Sequence, residues 1–209
     1  MIAEYTLQAK DVHATTVSRL HTHLSLETEG WRSDTHQTLS LLVKAAATRN
    51  SLEGTCHDSY GVAHNNSIRE QLDVADLRQH EAEMNAALAS TLPKDMRHGG
   101  LEVAIDLHDE PFSGKGLVLP TYTCRAQAKA GTTHFFRIAS AYVIWREMRL
   151  TLALIYVLPE DDLVAVVERL LQRLKGLGIH KRGEFNICAT KCHLVKLLLY
   201  QGVCLTSVS

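Results

Sequence analysis

Hydrophobic positions recur with a helical period along the first hundred residues and with a strand-like period along the next sixty. Leu39, Leu41, Leu42, Ala45 and Ala46 form one helical stripe that runs to Thr48-Arg49-Asn50. Ser51 can cap a short helix after it, with Glu53 and Gly54 following. Beyond a turn centred on Tyr60-Gly61-Val62, Asn66 is placed to cap a second short helix, in which Ile68 and Leu72 share a face. Two short helices around a Gly-containing turn fit a helix-turn-helix or a plain helical hairpin. A longer helix over 74–92 carries Leu77, Met84, Leu88 and Leu92 along one side, a core-facing pattern.

The texture changes after Pro93 and Gly99-Gly100, so a boundary is expected near residues 93–100, with a helical domain over 1–98 and a second domain over 99–209. Residues 103–107 read as a strand with an acid in its interior. Residues 134–143 and 149–157 read as two more, with Arg146-Glu147-Met148-Arg149 as a hairpin connection. Pro159-Glu160-Asp161-Asp162 starts a helix, with three carboxylates near the positive end of its dipole. Leu163, Val166, Val167, Leu170, Leu171 and Leu174 are its buried stripe, and Gly176 and Gly178 end it. A weak strand near 180–187, a helix near 190–201 and a last apolar run over 203–208 complete a β-β-β-α-β-α-β order. Three consecutive strands followed by right-handed crossovers match a ribonuclease-H-like layout. The fold expected is therefore α/β: an N-terminal helical, helix-turn-helix-like domain followed by an incomplete ribonuclease-H-like mixed sheet with flanking helices.

Composition narrows the class without naming it. The 209 residues are 45% hydrophobic and 22% charged, as in an ordinary globular protein. A net charge of -1 supplies no whole-chain field toward nucleic acid or an anionic membrane. The halves differ, however: residues 1–100 carry 9 Lys+Arg against 13 Asp+Glu, and residues 101–209 carry 13 against 10. The longest apolar run, 152–158, is far short of the roughly 20 residues a membrane span needs. Met1-Ile2-Ala3-Glu4-Tyr5 has neither the basic start nor the apolar core of a secretory signal. Five scattered cysteines are no disulfide framework, so a reducing, cytoplasmic setting is expected.

Asp106 is the most informative residue. A carboxylate inside a central strand is costly unless it is paired, hydrogen-bonded or on a metal, and strand alternation sets it opposite Ile105 and Leu107. It suits a hard oxygen ligand for Mg²⁺; equally, it can cap a turn at His108-Asp109-Glu110-Pro111. Asp109 and Glu110 are near enough to help hold a cation, although a solvated turn also accounts for them. The twelve histidines include His21-Thr22-His23, poorly spaced for one helical face, and His57 and His64 around a turn; solvated or core roles explain them. Cys188, Cys192 and His193 form a partial zinc set with no second pair to close it, and buried thiols account for the same spacing. Gly114-Lys115-Gly116 lacks the preceding glycine of a phosphate-binding loop.

The wording of several segments adds a family resemblance. Residues 103–115 resemble the first catalytic strand of DDE transposases from prokaryotic insertion sequences. Residues 128–143, with Lys129-Ala130-Gly131-Thr132-Thr133, resemble the second-strand motif of one branch of that family, and 149–157 its third strand. Residues 50–56 and 66–72 resemble its helix-turn-helix, so the likeness spans 39–179. What it implies is DNA transposition by a two-metal site, in which three acids hold two Mg²⁺ (or Mn²⁺) ions that activate a nucleophile and stabilise the departing oxygen. Asp106 matches the first acid, as catalytic residue and metal ligand. In place of the family's Asp-Arg-Gly-Phe-like stretch the chain reads Ile179-His180-Lys181-Arg182-Gly183-Glu184-Phe185-Asn186, with Lys181 at the acid's position. Glu184 stands in for the second acid only after a shift of register. The third acid is expected beyond Ser209. Lys115, Arg125, Lys129 and Arg137 cluster around the second-strand motif as phosphate-facing candidates, and Arg69 lies on the second helix of the helix-turn-helix, with Arg49 just before the first. The expectation is an inactive, truncated transposase that engages transposon ends as a homodimer or beside an intact transposase. The alternatives are a non-catalytic DNA-binding fragment and a small metal-dependent nuclease using Asp106, Asp109 and Glu110.

Overall fold

The structure, a computed structural model, describes residues 8–26, 33–73, 76–98, 101, 103–112, 119–179 and 188–189. The protein is α/β and divides into two compact units, Met1–Ala87 and Leu88–Ser209. Among the described residues no helix is long and apolar enough to cross a membrane.

The first unit is helical. Helices α1 (Ala9–His23) and α2 (Thr35–Thr48) bury Val17, Leu24 and Leu39, with Leu20, Leu26, Val43 and Met84 packed around them. Asp34 caps α2 by accepting the Gln37 N–H at 2.7 Å, and Arg49 closes it in the left-handed region. Ser51 caps α3 (Leu52–His57) as expected, its Oγ accepting the Gly54 N–H at 3.0 Å. Residues 58–64 lead from α3 to α4 (Asn65–Asp73), which buries Ile68 and Gln71. The buried Gln71 amide is satisfied across helices: Thr38 Oγ1 donates to its Oε1 at 2.8 Å, and Ser33 Oγ lies 3.0 Å from Thr38 Oγ1.

Helix α5 (Leu77–Thr91) begins three residues later than the apolar pattern proposes. Asp76 Oδ1 accepts the N–H groups of Arg78 and Gln79 at 2.7 and 3.1 Å, which fixes the start. Its most buried residues are Glu81, Asn85 and Ala87, not the whole expected leucine stripe. The two polar groups are satisfied within the helix. Arg78 Nη1 donates to Glu81 Oε2 at 3.1 Å, and Asn85 Nδ2 donates to the Glu81 carbonyl at 2.7 Å.

The second unit is built on a sheet. Strands β1 (Val103–Pro111), β2 (Cys124–Lys129), β3 (Thr132–Trp145) and β4 (Met148–Val157) precede helix α7 (Leu163–Gly176), and α6 (Leu119–Tyr122) is a single turn before β2. Strand β3 is the spine: β1 runs antiparallel to it on one side, with Asp106 opposite Ser140, and β4 antiparallel on the other. Phe135 is paired with Pro111 and also with Cys124, so β2 extends the line of β4. A two-residue strand, β5 (Cys188–Ala189), lies parallel to β1 beside Ala104 and Ile105.

Both hairpins close through two residues at positive φ, as type I′ turns require. Ala130 and Gly131 (φ 52° and 78°) join β2 to β3; Arg146 and Glu147 (φ 48° and 64°) join β3 to β4. One face of the sheet is covered by α7. Val103, Ile105, Ala139, Ala141, Val143, Ile155 and Val157 pack with Val166, Val167, Leu170 and Leu174, and Leu92 and Met96 join them. The expected helical stripe is therefore the core stripe. Helix α7 ends where Gly178 turns to φ 76°, letting the Ile179 N–H reach the Leu174 carbonyl at 3.2 Å.

One expectation about β1 changes. Residues 108–111 are not a turn, because His108, Asp109, Glu110 and Pro111 continue the ladder opposite Ile138, Arg137, Phe136 and Phe135. The strand near 180–187 lies outside the described residues, as do the helix near 190–201 and the run over 203–208.

Candidate functional site

Strand alternation sorts the chemistry of β1 onto two faces. Val103 and Ile105 are buried in the core under α7, so Asp106 and His108 take the opposite side, where Asp106 is half-buried. Glu110 is also on that side, and His108 Nε2 lies 2.6 Å from Glu110 Oε1, both side chains well exposed. Asp106 and His108 line a cleft of about 570 Å³ whose other wall comes from Ala126, Gln127, Ala128 and Lys129 of β2. Asp106 and Lys129, singled out separately in the sequence, thus share one concavity.

Asp109 faces the core side instead. Arg137, its partner across the β1–β3 ladder, donates from Nε to Oδ1 at 2.7 Å and from Nη2 to Oδ2 at 3.2 Å. This carboxylate strengthens the guanidinium's hold on its proton, first through the hydrogen bonds and then through its charge, against the opposing effect of burial. Arg137 is therefore committed to Asp109, which itself contributes to the lining of the Asp106 cleft.

Arg137 lines a second cleft of about 520 Å³ with Thr123, Cys124, Arg125, His134 and Asp161. Burial pushes the Cys124 thiol up, only partly offset by Arg137. The thiol donates to the Val157 carbonyl at 3.4 Å, a structural role for a group with little thiolate character. His134 Nδ1 is 3.3 Å from Thr123 Oγ1. Asp161 accepts the Leu158 N–H at 2.8 Å and faces Arg169 at 3.4 Å, so it organises the approach to α7.

The candidate phosphate contacts separate accordingly. Lys129 belongs to the first cleft and Arg125 to the second, both exposed, whereas Arg137 is ion-paired. Arg69 is exposed on α4 in the helical unit. Lys115 and Glu184 lie outside the described residues, as do Cys192 and His193. His108 and the Asp109–Arg137 pair were not assigned these positions from sequence. The signal available was alternation along a strand that runs on to Pro111.

Among the described residues no three His, Cys, Asp or Glu side chains come together as a metal-holding group. No family model matches the chain, and no match is found among curated proteins or solved structures.

Proposed function

We propose that this chain derives from a DDE-type transposase: a helix-turn-helix-like helical unit and a ribonuclease-H-like sheet that hold transposon-end DNA without cutting it. The observation that carries the reading is the strand order β4-β3-β1-β5, with β5 parallel to β1 after a helix and an acid, Asp106, midway along β1. Antiparallel strands followed by a helix and a strand parallel to β1 support the ribonuclease-H-like reading, and Asp106 lines an open cleft together with a basic residue, Lys129.

The described residues do not fit a pair of Mg²⁺ ions. Two dications held close together need several carboxylates against their mutual repulsion. Asp106 is one; Asp109 is turned to Arg137, and Glu110 is engaged by His108. Binding is therefore the activity proposed, through phosphate contacts from Arg125, Lys129 and Arg69, with a homodimer or an intact transposase as the protein partner.

The test is a gel shift of terminal-repeat duplexes with the full chain, followed by a nicking assay in Mn²⁺. The expected result is a shift that weakens steeply as salt rises from about 50 to 200 mM, with the DNA left intact. Asp106-dependent nicking would replace this reading with that of a small metal-dependent nuclease. No shift at low salt would end both the DNA reading and the transposase assignment.

A further inference from the structure

The helical unit brings together two histidines from different helices, unrelated to Asp106. His21, in the last turn of α1, and His36, in the first turn of α2, have ring centroids 5.8 Å apart with their planes at 70°. The rings come from different helices, yet neither helix is free to drift. Between them Val17, Leu24 and Leu39 are buried at 1%, 6% and 3% exposure. His13 Nε2 adds a second cross-helix link, 3.1 Å from the Ser40 carbonyl.

Zinc binds imidazole nitrogen at about 2.0–2.1 Å in tetrahedral geometry, which sets two rings on one ion with centroids about 5 Å apart. The observed separation, 5.8 Å in an edge-on contact, is within about an ångström of that, and both side chains are exposed. Imidazole pairs select Zn²⁺, Cu²⁺, Ni²⁺ and Co²⁺ and not Mg²⁺, which takes oxygen. We propose that His21 and His36 form a two-histidine site for a borderline divalent metal, zinc above all, that clamps α1 to α2. Water completes its coordination shell. The site stands apart from the DNA reading and survives its failure.

Zinc chloride titrated into the metal-free full chain near pH 7.5, followed by calorimetry and thermal unfolding, tests it. The expected result is a zinc-dependent rise in the unfolding temperature of the helical unit, since a ligand of the native state stabilises it. His21→Ala and His36→Ala each abolish that rise and weaken the corresponding uptake by more than about tenfold. The double variant loses no more than either single one, because each ligand is needed for the chelate. His57→Ala, on an exposed ring beside Asp58, keeps the rise. Co²⁺ absorption gives a readout independent of stability: the band of a nitrogen-ligated ion in the wild type, absent in both variants. Retention of the zinc-dependent rise in His21→Ala and His36→Ala, or a wild type that responds no differently to zinc than to magnesium, overturns the proposal.

Discussion

Arg137 and Asp109 face each other across β1 and β3 in a two-pronged ion pair, with side chains only 25% and 21% exposed. Their geometry satisfies both carboxylate oxygens at once, the arrangement in which a guanidinium is most effective. Removing one member leaves a half-buried charge with its hydrogen bonds broken. Asp109→Ala and Arg137→Ala should each lower stability by about 1.5–3 kcal/mol in urea unfolding. The double variant should recover part of that loss, since no orphaned charge remains, and the cycle reads the coupling directly.

The same pair divides the basic residues by function. Arg125 and Lys129 are exposed and free to meet phosphate, whereas the Arg137 guanidinium is held by Asp109. If DNA meets both clefts, Arg125→Ala and Lys129→Ala should each reduce the slope of log affinity against log salt by about one. Arg137→Ala, assayed at a temperature where it remains folded, should leave the slope unchanged. Fluorescence anisotropy over a salt series measures all three.

The two hairpin turns make a matched pair for testing backbone strain. Gly131 and Glu147 occupy the same second position of their turns, at φ 78° and 64°. Glycine accepts that region without penalty, while a residue with a Cβ loses about 1–2 kcal/mol there, offset in part by its lower entropy in the unfolded chain. Glu147→Gly is therefore expected to stabilise by about 0.5–1 kcal/mol and Gly131→Ala to destabilise by a similar amount. No Cβ at Gly131 would touch anything within 4 Å, so the second change isolates conformation from packing. Thermal unfolding of the two variants should shift in opposite directions.

These elements differ in how far they could be read beforehand. The α7 stripe and strands β1, β3 and β4 carry dense β-branched or leucine patterns that supply the core, although Ile144 and Met148 at the β3–β4 turn are exposed. Strand β2 alternates apolar and polar positions, Cys-Arg-Ala-Gln-Ala-Lys, but its apolar residues are small and none is β-branched, so the signal is faint. The Ala130-Gly131 turn that folds it back on β3 was the second cue. Helix α1 was legible only as part of a helical half. Of its residues Val17 alone is fully buried, which leaves little amphipathic contrast to detect. On α5, Glu81 and Asn85 are buried because each is satisfied within its own helix, a circumstance invisible to a hydrophobic pattern. At the candidate site, alternation correctly set Asp106 opposite Ile105. The commitment of Arg137 to Asp109 depended on the β1–β3 register, which no local pattern encodes.

His80 and Glu83, one turn apart on α5, should give the helical unit two separate acid transitions. Burial lowers the His80 pKa from its ordinary 6.5, with Glu83 opposing. The native state then binds fewer protons than the unfolded chain once the pH drops below about 6.5, so stability declines from there toward the depressed native value. Burial of Glu83 works the other way, raising its pKa. Hydrogen bonds from Gln79 Nε2 at 2.9 Å and the Ser25 N–H at 3.1 Å outweigh that and hold it below its ordinary 4.5. Its contribution is present above that pH and is lost as the pH falls through the lowered native value. Urea midpoints collected between about pH 8 and 3 should therefore fall in two stages. His80→Gln should flatten the upper one and slightly weaken the lower, since the His80 charge helps hold the Glu83 pKa down. Glu83→Gln should flatten the lower one, and it should also steepen the upper, since the charge that opposes the His80 shift is gone.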